Sequence, residues 1–176
     1  GAIKAVGYEA ISNIVKERET NGEYKNLSDF IKRVDPKDIN KLQLEGLVRA
    51  GAFDNLNDNR QSIYNSIPNI ILKSKNNFEN KQANQFDLFD DKLSNEENIL
   101  DDIEDWNIDI RLTKEFETLG FYISDHPLNQ YKSIFDQYNI VSYDNFQNDE
   151  NLLSSNIACT VLKTQEKKTQ KGTSYA

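Results

Sequence analysis

The sequence predicts a mainly α-helical protein with a short β element at its C-terminal end. Three observations predict it. Apolar residues recur three and four apart in the first seventy residues and again from about Trp106 to Tyr138. Gly, Pro and Asn breaks punctuate those stretches at helix-length intervals. Alternation at Ile157, Cys159 and Val161 has strand spacing, and Lys171-Gly172 follows as a hairpin tip.

Taken in order, Ile11, Ile14 and Val15 share one helical face, and Thr20-Asn21-Gly22 stops that helix. A short helix covers Leu27 to Arg33, with Ser28 as its candidate cap, and Asp35-Pro36 breaks it. The next runs from about Asn40 to Ala50, with Leu44, Leu47 and Val48 inward and Gly51 as its stop. After Asn57-Asp58 a helix places Ile63, Ile67, Ile70 and Ile71 inward, and Pro68 inside it predicts a kink or a break. From about Asn76 to Ser94 periodicity is lost and polar residues dominate, which reads as a tether. Leu112, Phe116 and Leu119 then line one helical face ending at Gly120. Asp125-His126-Pro127 reads as a new helix start whose inner face is Leu128, Tyr131, Phe135 and Tyr138. The resulting domains are 1–80, a tether at 81–103, a helical segment at 104–150 and a β start at 151–176.

Apolar content is 37% of 176 residues, so part of the chain is not expected to be packed core. No apolar run approaches the roughly 20 residues of a membrane span, and no basic-then-apolar leader opens the chain. The start, without Met and inside an amphipathic pattern, reads as a piece of something longer. A single cysteine, Cys159, excludes an intramolecular disulfide framework and fits a reducing compartment. The net charge of -8 is uneven: residues 1–80 carry +1, 81–160 carry -12 and 161–176 carry +3. Nucleic acid is therefore permitted at the ends and disfavoured between about 87 and 117.

Two turns could hold phosphate. In Ile3-Lys4-Ala5-Val6-Gly7-Tyr8 a small glycine-containing turn leads into a helix, so backbone N–H groups point outward at a helix N-terminus. Glycine lets a phosphate approach the main chain closely, and Lys4 adds charge. Ala50-Gly51-Ala52-Phe53-Asp54 is the second, again between helices. Either turn alone reads more readily as a tight helix–helix connection. Two of them about 45 residues apart point to a tandem helix-hairpin-helix module that binds duplex DNA without reading sequence. The candidate DNA contacts are Lys4, Val6, Gly7 and Tyr8 in the first turn, Gly51 and Ala52 in the second, and Arg60 beyond it.

Gln85-Phe86-Asp87-Leu88-Phe89 has the pattern Gln-x-x-aliphatic-aromatic in an otherwise polar stretch. An extended peptide of this kind puts Gln85 into a polar pocket and Leu88 and Phe89 into an apolar pocket of a partner. Such a peptide binds weakly, at about micromolar Kd, unless neighbouring DNA contacts raise its effective concentration. The plainer reading is an apolar contact that tucks the stretch onto its own helices.

Gly1-Ala2-Ile3-Lys4-Ala5-Val6-Gly7, Leu47-Val48-Arg49-Ala50-Gly51-Ala52-Phe53-Asp54, Gln85 to Phe89, and above all Leu119-Gly120-Phe121-Tyr122-Ile123-Ser124-Asp125-His126-Pro127-Leu128 resemble the bacterial DNA polymerase III alpha subunits. Lys171-Gly172-Thr173 resembles the first hairpin of that family's OB-fold. The resemblance spans the chain in order. It implies a tandem helix-hairpin-helix domain on duplex DNA, an internal motif for the beta sliding clamp, further helices and a truncated OB-fold. It also implies possible contacts with other replicase subunits and a bacterial cytoplasmic location. The family's palm aspartates and their Mg2+ ions would lie outside this sequence, so the fragment is expected to be non-catalytic and to carry no cofactor of its own. Three residues depart from the family: Ala5 stands where Gly is usual, Asp125 where Gly is frequent, and Pro68 in a normally continuous helix. The alternative is a helix-hairpin-helix scaffold of another DNA repair or replication protein, which lacks the Leu119–Leu128 phrase.

No nucleophile–base pairing stands out, so no catalytic residue is assigned. His126 before Pro reads as structural, and Cys159 as a buried small apolar side chain. The run Asp101-Asp102-Ile103-Glu104-Asp105 reads as a solvated face, because metal ligands converge from separated positions. Lys163, Lys167, Lys168 and Lys171 form a basic patch that a complete OB-fold could lay along a nucleic-acid backbone.

Overall fold

The computed structural model describes residues 3–82, 99–170, 172, 174 and 175. They form a mainly helical protein in two compact units, residues 1–124 and 125–176.

In the first unit α1 is Tyr8–Asn21, α2 Leu27–Arg33, α3 Lys41–Arg49, α4 Arg60–Asn65, α5 Ile67–Gln82 and α6 Ile108–Leu119, with a 3-10 turn at Pro36–Asp38. Local chemistry sets each boundary. Asn26, not Ser28, caps α2 by accepting from the Asp29 N–H. Asn40 and Gln43 close a reciprocal capping box on α3. Asn59 and Asn107 cap α4 and α6. Pro68 breaks the chain instead of kinking it: α4 ends at Asn65, and Pro68 lies in the first turn of α5, where its missing N–H costs nothing. Helix α5 then runs on to Gln82, so 76–82, polar enough to read as tether, is helical.

Leu27, Phe30, Ile31, Leu44, Val48, Ile63, Ile67 and Ile70 form the centre of one core. Phe30 meets Tyr24 and Phe53 edge-on at 5.2 and 5.1 Å. Residues 99–105 run against α4: Ile99 is buried, the Asp101 N–H donates to Ser66 Oγ, and Asn59 Nδ2 donates to the Ile103 carbonyl. The buried face of α6 is Leu112, Glu115 and Thr118. Phe116 and Leu119, expected to share it with Leu112, are only half-buried, and Phe116 stacks on Tyr122. The stripe is displaced because Glu115, buried with an ionic partner, takes the central position.

In the second unit Asp125-His126-Pro127 precedes a 3-10 turn at Asn129–Tyr131, followed by α7, Lys132–Gln137, and α8, Tyr143–Asn148. Leu128 and Phe135 are half-buried as the inner face requires, but Tyr131 and Tyr138 are 45% and 63% exposed. Helix α7 spans six residues, under two turns, too short to turn all four side chains to one side. The strand expected through Ile157, Cys159 and Val161 joins no ladder. Among the described residues the nearest pairing is an isolated parallel bridge between Ile140 and Asn156, the residue before it. Cys159 is accordingly exposed, not buried. A hairpin forms on either side of Gly172: β1, Lys167–Lys168, pairs antiparallel with β2, Ser174–Tyr175, in the register Lys167 with Tyr175 and Lys168 with Ser174. Gly172 has φ 81° and donates its N–H to the Thr169 carbonyl.

Candidate nucleic-acid interface

The first turn lies open. Gly7 is the N-cap of α1 and supplies no side chain, and no side chain caps this helix. Tyr8, at 87% exposure, and Lys4 and Gly7 face solvent, while Val6 is half-buried. The uncapped amides at the start of a 14-residue helix leave partial positive charge facing outward. Glu9 in the same turn opposes an anion, and Lys4 offsets it.

Two flanking elements hold this turn. Gly46 of α3 has no Cβ, and one placed there would meet the Lys4 carbonyl oxygen at 2.9 Å and Val6 Cγ2 at 3.1 Å. On α6, the Lys4 N–H donates to the Thr118 carbonyl at 3.2 Å, and Lys4 Nζ donates to the Glu117 carbonyl at 2.5 Å. Ala5 adopts φ 63°, the left-handed conformation that glycine takes without strain.

The second turn is not open. Helix α3 ends in a double closure: the Gly51 N–H donates to the Val48 carbonyl at 3.0 Å, and the Ala52 N–H to the Leu47 carbonyl at 2.9 Å, with Gly51 at φ 74°. The Ala50 and Asp54 amides also donate within the chain. At the start of α4 the Gln61 N–H is already taken by the Asp105 carboxylate at 2.9 Å. The sequence reading of this turn as a second outward-facing phosphate site is therefore corrected. Gly51 and Ala52 spend their N–H groups on the helix terminus, and the Asp105 carboxylate takes the Gln61 N–H at the start of the helix that follows. Asp105 is no solvated surface acid either: it also pairs with Arg111. Burial pushes its carboxyl up, but the Gln61 N–H, Arg111 and the Trp106 N–H outweigh it and hold the pKa below the ordinary aspartate range.

Arg60 is corrected in the same way. It is 2% exposed, and its guanidinium works inward. Nε and Nη2 donate to the two Asp54 oxygens at 2.8 and 2.6 Å, and Nη1 donates to Glu115 Oε1 at 2.7 Å. Glu115, fully buried, accepts further from Ser124 Oγ at 2.5 Å, the Ile123 N–H at 2.7 Å and the Ser124 N–H at 3.0 Å. Burial pushes the Glu115 carboxyl up, yet Ser124, Ile123 and Arg60 together hold it below the ordinary glutamate range. Gly51 is required beside them, since a Cβ there would overlap the Arg60 guanidinium.

Sequence reasoning missed Glu115 and Gly46. Each left a signal: a charged residue three positions after Leu112 on an apolar stripe, and a glycine inside the Leu44–Leu47–Val48 face. Gln85, Phe86, Asp87, Leu88 and Phe89 lie outside the described residues, as does Lys171. Lys163, Lys167 and Lys168 are exposed. Among the described residues no three His, Cys, Asp or Glu side chains gather as metal ligands, and no helix is long and apolar enough to cross a membrane.

Two helices joined through a glycine turn against a third, with an uncapped helix start beside them, define a helix-hairpin-helix module. Residues 1–63 match the family described as the helix-hairpin-helix motif. The chain is, more particularly, homologous to a segment of the bacterial DNA polymerase III alpha subunits. It is 39% identical to the DNA polymerase III subunit alpha of Rickettsia bellii over 150 residues, which is 85% of this chain and 13% of that protein. It is 38% identical to that of Rickettsia prowazekii over 143 residues, 81% of this chain and 12% of the relative. For Caulobacter vibrioides the identity is 36% over 128 residues, 73% of this chain and 11% of the relative. The chain thus spans about one eighth of the length of the relatives it matches.

Proposed function

We propose that this chain holds a replicative DNA polymerase on duplex DNA, without reading sequence, and docks it on the beta sliding clamp. The uncapped start of α1 carries the DNA reading, because it combines outward amides, Gly7 and Lys4 within the part of the chain matching the helix-hairpin-helix family. DNA binding rests on the first turn alone: Lys4, Val6, Gly7 and Tyr8 contact the duplex, while Gly51, Ala52 and Arg60 support them from inside. Gln85, Leu88 and Phe89 anchor the clamp, with Phe86 and Asp87 as spacers. The segments 1–80, 81–103, 104–150 and 151–176 act in turn as DNA module, tether, helical spacer and the start of an OB-fold. The chain does no chemistry itself; polymerisation and its Mg2+ ions belong to other parts of the polymerase. Contacts with further replicase subunits and action in the bacterial cytoplasm follow from the same reading.

The test is binding of the purified chain to a bacterial sliding clamp and, separately, to a short duplex. The double substitution Leu88→Ala/Phe89→Ala should abolish clamp binding and leave duplex binding intact. Unchanged clamp affinity in that variant would reject the docking role, and no duplex binding at low salt would reject the DNA role. Nucleotide incorporation by the chain alone would reject its non-catalytic assignment.

A further inference from the structure

We propose that the last turn of α6 is the frame that sets the DNA-binding turn in place, and that Glu115 and Arg60 are positioning residues for it. This rests on the reading of the first turn as a DNA site. Three turns of the chain converge on Glu115, Glu117 and Thr118 near the end of α6. The Ile3–Gly7 turn is held by the carbonyls of Glu117 and Thr118, through Lys4 Nζ and the Lys4 N–H. The Ala50–Asp54 turn is held by Arg60, which grips both Asp54 oxygens and the Arg49 carbonyl and reaches Glu115 on its other side. The Gly120–Ser124 turn is held by the same Glu115 carboxylate, through the Ile123 and Ser124 N–H groups and Ser124 Oγ.

The consequence concerns where the DNA module ends. The family match stops at residue 63, whereas α6 begins at residue 108. If α6 grips the first turn from one side and α3 seats it at Gly46 from the other, the binding-competent turn exists only when α6 is docked. Beside the buried Leu112 and the Arg111 bond to the Asp58 carbonyl, α6 is fixed by a buried ion pair, Arg60 with Glu115, at 2% and 0% exposure. Removing the Glu115 charge leaves Arg60 to Asp54 alone and weakens the acceptor shared by Arg60, Ile123 and Ser124, so the seating of α6 is loosened. Lys4 touches neither residue of the pair. A change at Lys4 caused by altering Glu115 therefore reports transmission through α6.

The full chain is compared with Glu115→Gln and, as a milder variant, Ser124→Ala. Amide hydrogen exchange is read at Lys4, with Leu47 and Ile70 as core references, and duplex affinity is read at low salt. The Lys4 amide should exchange roughly tenfold faster in Glu115→Gln, the equivalent of about 1.4 kcal/mol, and faster by a smaller factor in Ser124→Ala, while Leu47 and Ile70 keep their protection. Duplex affinity should fall at least roughly fivefold in Glu115→Gln. A Lys4 amide that is unprotected in the unaltered chain, or equally protected in the variants, overturns the inference. So does equal loss of protection at Lys4, Leu47 and Ile70, which would make the pair a general stability element. The two readings fail separately: no duplex binding by the unaltered chain rejects the DNA site, whereas duplex binding that Glu115→Gln leaves unchanged rejects the positioning role.

Discussion

Ala5 holds φ 63° in the turn that presents the start of α1. A left-handed alanine costs roughly 1–2 kcal/mol, and glycine gives back roughly 0.5–1 kcal/mol of that in the unfolded chain. The strain is the larger effect, so Ala5→Gly should stabilise the protein by about 0.5–1 kcal/mol in urea unfolding. Glu115 makes a second prediction. Its folded-state pKa lies below the ordinary 4.5, so its stabilisation is complete above that value and is lost as the pH falls through the depressed folded value. Between pH 7 and 5 its contribution should be constant, and the acid limb should begin below about 4.5. In Glu115→Gln the acid limb should be shallower, which a series of urea midpoints against pH would reveal. At this scale the sequence was legible where the signal is local backbone geometry: the helix start after Gly7 and the stops at Gly22, Gly51 and Gly120 could all be read from local spacing. Arg60 could not, because its partner Glu115 lies 55 residues away and nothing in the local pattern distinguishes an inward arginine from a phosphate ligand.

Among the elements, α3 shows best how packing overrides propensity. Gly46 sits inside a helix, where alanine would be favoured by about 1 kcal/mol. A Cβ there would press on the Lys4 carbonyl at 2.9 Å, backbone that cannot swing aside, and on Val6 Cγ2 at 3.1 Å. Overpacking of this kind costs typically 1–3 kcal/mol. Gly46→Ala should therefore destabilise the protein, by about 1 kcal/mol net in thermal or urea unfolding; a neutral or stabilised variant would show that the first turn is not seated on α3. The element boundaries divide by cause. The helices α2 and α3 and the stop of α6 were legible from apolar spacing and from the breaks at Asp35-Pro36, Gly51 and Gly120, although the cap of α2 lies at Asn26 and not at Ser28. The end of α5 was not: Asn, Lys and Gln at 76–82 carry no apolar period, and the helix there continues from its packed N-terminal half, with Lys81 Nζ reaching the Lys32 carbonyl at 2.6 Å. The strand expected at 157–161 failed for the opposite reason. Alternation is a necessary signal for a strand, but pairing is what forms one, and among the described residues the only bridge near it is at Asn156.

For the whole molecule, charge decides how strongly the proposed DNA site can act. Residues 81–160 carry net -12 and repel a duplex, while residues 1–80 are nearly neutral at +1. With Arg60 buried between two carboxylates, the cation placed in the open turn itself is Lys4. Neutral amides bind phosphate without displacing counterions; only the cations do. Affinity falls with log salt at a slope of about -0.9 for each phosphate neutralised, so one or two cations give a slope of about -1 to -2. The affinity itself should be that of non-specific binders, with Kd on the order of 10⁻⁴ to 10⁻⁶ M. Fluorescence anisotropy of a labelled duplex between 50 and 200 mM salt measures both, at roughly the ionic strengths where surface charge is still felt. Lys4→Ala should lower the slope by about 1 and weaken binding alike on unrelated sequences, since a phosphate contact carries no base information. A slope of about -5 or steeper would require several cations on the DNA and would move the interface away from the first turn. So weak a hold calls for a second contact, and under the proposed clamp docking each weak contact would raise the effective concentration of the other. Clamp and duplex offered together should therefore bind more tightly than the product of their separate affinities with a non-tethered pair predicts, and Lys4→Ala should remove most of that gain while leaving binding to the clamp alone unchanged.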